Sequence, residues 1–417
     1  MGQRNKVEDC RLFYGSTRKN PMVMRFEIKL NEEIDFAYFE AAVKTALKRY
    51  PYFRVALAKI GDDYYFVDND REVVAAPSND SLEINSESTN FHQLYFSAEK
   101  DTIVVNIFHA LTDGDGAYAL IRTLLYYYFS DKYKIGLSKD SIRLYGDPIN
   151  EEEYLNPLSK ITLPAPKRRQ LDPIYQIPPS SSLPSLYHIR FDEASFIAKT
   201  RGIGATPNVL MAMMLDKAIR DTFDVGRQKS RIVVCVNERR ALKAPLAHQS
   251  FVGGALLDFS ADDHHLDLSS LSQKVRAELK RQTADEAVLD GLSIRKALDN
   301  YVFSVSDQKQ RRNIVSSTEK VASSSMNAAI SYVGKASFGD AEKYIVDFKT
   351  ITPSTSSIAA ELSAVNGHIY LDLSLSFPEE SFLSSFLSEL ERIGIFAQSK
   401  EKIDAKLPNV KLPWDND

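Results

Sequence analysis

His109 is the residue whose neighbours best suit it to chemistry. It follows the apolar run "TIVVNIF" at 102–108 and opens the segment "HALTDGDG", which places Asp113, Gly114, Asp115 and Gly116 just behind it. A strand end fixes the backbone, so a histidine delivered there projects its imidazole from a rigid base. With an unperturbed pKa of about 6.5, the ring is poised to take a proton from an alcohol, amine or thiol. A lone histidine at a strand terminus is more often a satisfied polar group. The acidic, glycine-punctuated turn is what sets His109 apart from that reading.

Gly114 and Gly116 permit a tight turn. Asp113 fits two arrangements: a carboxylate that orients the His109 ring, or a structural carboxylate that faces away and pins the turn to a basic residue. The second is preferred, because a rigid turn is what a base on a loop needs. Other candidates are weaker. "TPSTSS" at 352–357 contains Thr355 and Ser356, whose hydroxyls could donate to an oxyanion, although solvated loop hydroxyls are the plainer reading. "DDHHLDLSS" holds His264 and His265 without an Asp-Gly at a matching distance and reads as a polar loop before a helix. "RGIGATP" lacks the dinucleotide fingerprint and reads as a helix lead-in. His92, His188, His248 and His368 have no companions in their stretches of sequence, and no residue cluster asks for a metal.

The elements that would position His109 are legible from periodicity. "DFAYFEAAVKTALKRY" repeats its apolar residues at helical spacing, with Asp35 as its cap and Pro51 as its stop. "DDYYFVD", "LEIN" and "TIVVNIF" read as strands, and "AYALIRTLLYYYFS" as a buried helix after the motif. Later, "SLYHIRF", "SRIVVCVN" and "AAISYVG" predict strands, and "SLSQKVRAELKRQ" an amphipathic helix. Thr206 and Pro207 start a further helix. Asn366-Gly367 lies between alternating runs and predicts a hairpin. "EESFLSSFLSELERIG" is read as the helix that closes the domain.

A chain of 417 residues is too long for one ordinary core. Two mixed α/β domains are expected, at 1–150 and 185–417, joined across 151–184 by a proline-rich crossover linker. The net charge of -4 and the shortness of basic runs such as "KRR" at 167–169 argue against a nucleic-acid partner. Two widely separated cysteines, Cys10 and Cys235, form neither a disulfide framework nor a zinc site, so a reduced cytoplasm is expected. No window is apolar enough for a spanning helix, and the N-terminus does not resemble a signal peptide.

His109, Asp113 and Gly114 in "HALTDG" match the HxxxDG signature of the acyl-CoA-dependent acyltransferase superfamily, which includes chloramphenicol acetyltransferases, BAHD and alcohol acetyltransferases, and peptide-synthetase condensation domains. The resemblance extends along nearly the whole chain. "FEAAVKTALKRYPYFRV", "TPNVLMAMMLDKAI", "VCVNERRAL", "FVGGALL" and "ISYVGKASFG" resemble that family's elements in order and spacing. It implies two similar chloramphenicol acetyltransferase-like α/β sandwich domains with a tunnel between them. His109 would deprotonate a small hydroxyl- or amine-bearing acceptor for attack on the thioester of acyl-CoA, with acetyl-CoA as the expected co-substrate and no permanently bound cofactor. By the same resemblance Asp113 pairs with Arg239 of "VNER" and serves as scaffold. Phe108 stands where condensation domains usually carry a second histidine, which argues against peptide-bond synthesis, and "VGKASFGD" offers only Phe338-Gly339 of the plant-type DFGWG motif. The chain most resembles bacterial alcohol acetyltransferase-like proteins. A carrier-protein thioester donor, supplied by an acyl carrier protein, and a catalytically silent binding module are the alternatives.

Overall fold

The run Thr102–Phe108 is a strand with six consecutive buried residues, because it lies inside a sheet covered on both faces. Its neighbours are the antiparallel strands Val23–Leu30 and Leu94–Glu99. This computed structural model describes residues 4–139, 141–167, 170–178, 184–353, 355–377, 380–404 and 406–415. The first sheet runs in the order Ile345–Ile351, Val23–Leu30, Thr102–Phe108, Leu94–Glu99, Ala75–Ala76. Helices Phe36–Arg49 and Gly114–Tyr133 pack against each other beside it. The Asp35 carboxylate caps the first of these by accepting from the amides of Ala37 and Tyr38 at 3.0 and 3.4 Å. Phe39, Val43 and Leu47 form its buried stripe.

The second sheet has seven strands: Val252–Phe259, Ser230–Asn237, Ala328–Lys335, Ile358–Val365, His368–Leu375, Ser185–Asp192 and Ala397–Ile403, in that spatial order. Helix Pro207–Thr222 lies against it and against helix Glu380–Arg392, burying Leu210, Met213, Met214 and Phe386 in a second core. Asn366 and Gly367 both take positive φ, 47° and 77°, which gives the Ile358–Val365/His368–Leu375 hairpin the primed turn that matches strand twist. A small third sheet joins Arg4–Lys6, Asp63–Asp68 and Val55–Ile60.

The two large sheets are tied together by strand Ile345–Ile351, which comes from the second half of the sequence and completes the first sheet by pairing with Val23–Leu30. Phe338 and Phe348 accordingly pack in the first core, on Tyr118. The proline-rich stretch contains two short 3-10 turns, Glu151–Glu153 and Pro157–Lys160. Its Glu153 is buried and accepts from Arg49 at 2.8 and 3.1 Å and from Arg143 at 2.8 Å, fastening the stretch to the end of helix Phe36–Arg49. Pro179 of that stretch falls outside the described residues.

Three readings of local structure change. "LEIN" is no strand: Asn85 turns to φ 59°, and Ile84 makes only an isolated bridge with Val410. The helix ending at Arg392 is followed by the edge strand Ala397–Ile403, whose charged, exposed run carries no alternation to read. His188 does have companions. Its Nδ1 lies 2.7 Å from Asp372 and its Nε2 2.9 Å from Asp347, on strands of the two different sheets.

This histidine holds the crossing strand in place. Asp372 also accepts the Thr350 amide at 2.7 Å, and Lys349 donates to Asp347 at 2.9 Å and pairs with Glu401 at 3.1 Å. His188, Asp347 and Glu401 approach one another closely enough to share a cation, and the Lys349 ammonium supplies one. Burial opposes the His188 charge, but Asp347 and Asp372 outweigh it and raise the ring to about 9, while Asp347 is held at about 2 despite its own burial. A histidine raised in the folded state contributes stability that is complete below its unfolded pKa of about 6.5 and lost as pH rises through the folded value. The thermal midpoint of the parent should therefore fall relative to His188→Gln between pH 6.5 and about 9; parallel curves across that window would remove the imidazolium from the network.

Candidate active site

His109 stands one residue past the end of its strand, and its amide donates to the Met22 carbonyl at 2.7 Å, so the sheet sets its height. Its Nδ1 is 2.9 Å from the carbonyl oxygen of Thr112. A carbonyl can only accept, so the neutral ring carries its proton on Nδ1 and keeps the lone pair on Nε2. The ring lines a cavity of about 310 Å³. That arrangement suits a general base: one nitrogen is fixed by backbone, and the other makes no hydrogen bond among the described residues.

The turn behind it is pinned from several directions. Tyr52 donates its hydroxyl to the Leu111 carbonyl at 2.6 Å, and Thr112 donates to the His248 carbonyl at 2.6 Å. Asp113, 1 % exposed, caps helix Gly114–Tyr133. One carboxylate oxygen accepts from Arg239 Nη2 at 2.8 Å and from the Gly116 amide at 3.1 Å; the other accepts from the Phe251 amide at 2.8 Å. None of these bonds goes to His109. Arg239 is itself buried and also donates to the carbonyls of Ala247 and Gln249, at 2.8 and 2.7 Å. Burial works against its cation, but Asp113 more than compensates and pushes the guanidinium up.

Glycine at 116 is a matter of space. A Cβ there would stand 2.2 Å from Thr112 Oγ1 and 2.7 Å from the His248 carbonyl oxygen. Gly116→Ala should cost about 1–3 kcal/mol through overpacking, read as a lower denaturant midpoint. A midpoint equal to the parent's would mean that the turn yields without loss. At Gly114 the clearance is looser, with Val333 Cγ2 3.2 Å from the Cβ position.

The cavity draws its wall from both halves of the sequence. Thr355 lines it as an exposed residue, and Ser356 as a buried one whose hydroxyl donates to the Ile358 carbonyl at 2.7 Å. Ser354, between them and Pro353, falls outside the described residues. Asp115 and Asn237 lie on the same wall, with Asp115 3.6 Å from Arg239.

Glu361 also lines this cavity, and sequence reasoning passed over it. Its carboxylate accepts from Thr352 Oγ1 at 2.5 Å. Burial pushes its carboxyl up, against the pull of the Thr352 and Ser331 hydroxyls and of His109. The available signal was one acid inside a strand, "IAAELSAV", whose other residues are apolar apart from Ser363. Cys235 lines the cavity too, and burial together with Glu361 raises its thiol to about 12, so it stays protonated. Of the other histidines, His248 lies 3.4 Å from Glu153 among Tyr50, Tyr52 and Phe53, and burial lowers its pKa. His264 lies 3.2 Å from Asp216, away from the cavity lining.

No family model and no curated protein matches the sequence. Solved structures do match the fold. Polyketide synthase associated protein 5 from Mycobacterium tuberculosis is 13% identical, with a TM-score of 0.60 over 94% of this chain and 98% of its own. The TRI3 trichothecene 15-O-acetyltransferase from Fusarium sporotrichioides is 11% identical, with a TM-score of 0.61 over 94% and 95%. TRI101 of F. graminearum, solved with coenzyme A and T-2 mycotoxin, is 12% identical, with a TM-score of 0.57 over 95% and 99%. Among the described residues no helix is long and apolar enough to cross a membrane. The mixed sheets superpose on these structures almost end to end, so the chain has the chloramphenicol acetyltransferase-like α/β fold that acetyltransferases and condensation domains share.

Proposed function

We propose that the protein transfers an acyl group, acetyl in the first instance, from acyl-CoA to a hydroxyl or amine of a small acceptor, with His109 as general base. The observation that carries this reading is the fixed tautomer: Nδ1 is engaged by the Thr112 carbonyl, and Nε2 lacks a hydrogen-bond partner among the described residues in a cavity able to hold a small molecule. Nε2 takes the acceptor's proton as the acceptor oxygen or nitrogen attacks the thioester carbonyl. The tetrahedral intermediate collapses by breaking the carbon–sulfur bond, and the imidazolium returns its proton to the leaving thiolate. The Thr355 hydroxyl is the wall group we assign to the oxyanion, since Ser356 already donates to the Ile358 carbonyl. Asp113 and Arg239 hold the turn and take no proton.

Two of the structural neighbours, a polyketide synthase associated protein and the condensation domain of the Monacolin K polyketide synthase MokA, favour a second reading in which a carrier protein delivers the thioester. The donors are separated by supplying acetyl-CoA and an acetyl-loaded carrier protein to the purified protein and following thiol release. Turnover with acetyl-CoA alone is expected. Turnover confined to the carrier would replace coenzyme A as donor and leave the role of His109 intact. Turnover with neither would return the chain to a binding module of the same fold.

A further inference from the structure

We infer, building on the acyltransferase reading, that the acceptor carries a protonated amine and that Glu361 is the group that binds it. Glu361 is a carboxylate on a strand inside the protein, on the wall of the same cavity as His109. Its carboxylate accepts from the Thr352 hydroxyl, His109 shares the wall with it, and among the described residues no lysine and no arginine other than Arg239 lines that wall. A half-buried carboxylate whose hydrogen-bond partner is a hydroxyl, and which makes no salt bridge with a lysine or arginine among the described residues, can pair with a cation that a ligand brings.

The rest of the wall points the same way. Asp113 and Asp115 are the other acids on it, and its one arginine among the described residues, Arg239, is already engaged with Asp113 and backbone carbonyls. Even with His109 counted as a cation beside Arg239, the three carboxylates of the wall outnumber its cations among the described residues. Met24, Phe26, Val236, Met326 and Leu362 make much of the remaining surface apolar. Such a space suits a compact apolar skeleton bearing an ammonium. An anionic acceptor would meet repulsion, and a plain alcohol would leave Glu361 uncompensated.

An ammonium held by Glu361 has no lone pair, so the acceptor attacks through a separate hydroxyl, and the test uses skeleton-matched pairs of an amine that also bears a hydroxyl with its plain alcohol: phenylalaninol with 3-phenylpropan-1-ol, leucinol with 4-methylpentan-1-ol, and tryptophanol with 3-(indol-3-yl)propan-1-ol. Equilibrium binding of each to the protein at neutral pH is measured by calorimetry, and acetyl transfer from acetyl-CoA is followed in parallel. At least one amine should bind about tenfold or more tighter than its alcohol, as a charge-assisted hydrogen bond gives. Glu361→Gln should abolish that preference without lowering the thermal midpoint, since an amide oxygen can still accept from Thr352 and the charge removed has no salt-bridge partner among the described residues. Glu361→Asp, which keeps the charge, should retain the preference in weakened form and covers the case of a Gln variant that fails to fold. Equal binding within every pair, no binding of any amine, or a preference that survives in Glu361→Gln would overturn the inference. Because binding is read separately, Glu361-dependent amine binding without acetyl transfer would sink the acyltransferase reading instead, and transfer to alcohols with no amine preference would spare that reading and sink this one.

Discussion

Asp113→Ala should destabilise the protein by about 3–5 kcal/mol, the penalty for breaking a buried ion pair by removing one partner. The substitution leaves the Arg239 guanidinium 2 % exposed with carbonyl partners and a more distant Asp115. It also strips acceptors from the Gly116 and Phe251 amides and removes the cap of helix Gly114–Tyr133. Asp113→Asn is a finer probe. Its oxygen can still serve Arg239 and Gly116, but its amide nitrogen then faces the Phe251 N–H, donor against donor. Both variants should show lower midpoints in chemical denaturation and lose activity as the turn loosens. A variant as stable as the parent yet inactive would instead place Asp113 in direct service of the His109 ring.

Much of this architecture can be read in the sequence because the deciding physics is local. Asp35 before an apolar stripe, Thr206-Pro207 at a helix start, and Asn366-Gly367 between alternating runs each fix a backbone conformation within a few residues. The strand ending at Phe108 is visible because a fully buried strand is continuously apolar. What escaped depends on distant partners. Nothing near His188 announces Asp347 and Asp372, which the crossing strand and the hairpin bring to it. The polar edge strand Ala397–Ile403 has no buried face to pattern it. Helices Asp285–Ser304 and Gln308–Ser324 went unread, since each buries only a few residues along its length. At the site, the HxxxDG residues could be named because the turn chemistry is contiguous. Glu361 could not, because its meaning comes from a cavity wall assembled from both halves of the chain.

The larger effect on rate belongs to His109. Removing the imidazole leaves the fold of the turn largely to Asp113, Thr112 and Tyr52, whose hydrogen bonds do not pass through the ring. His109→Ala should thus fold with a midpoint close to the parent's while losing the 10² to 10⁴ that a positioned base contributes, by about that factor in kcat. His109→Gln should be as slow, because an amide side chain has no basic nitrogen to take the proton. Loss of activity accompanied by unfolding would make the ring structural, a different role from the one its tautomer suggests.

The most direct measurement is thiol release from acetyl-CoA by the purified protein, with the matched amines and alcohols as acceptors and the product identified by mass spectrometry, in parent and His109→Ala side by side. The expected result is an acetylated acceptor formed by the parent and slowed by a factor of about 10² or more in the folded variant. Equal turnover by the two proteins would contradict His109 as the base.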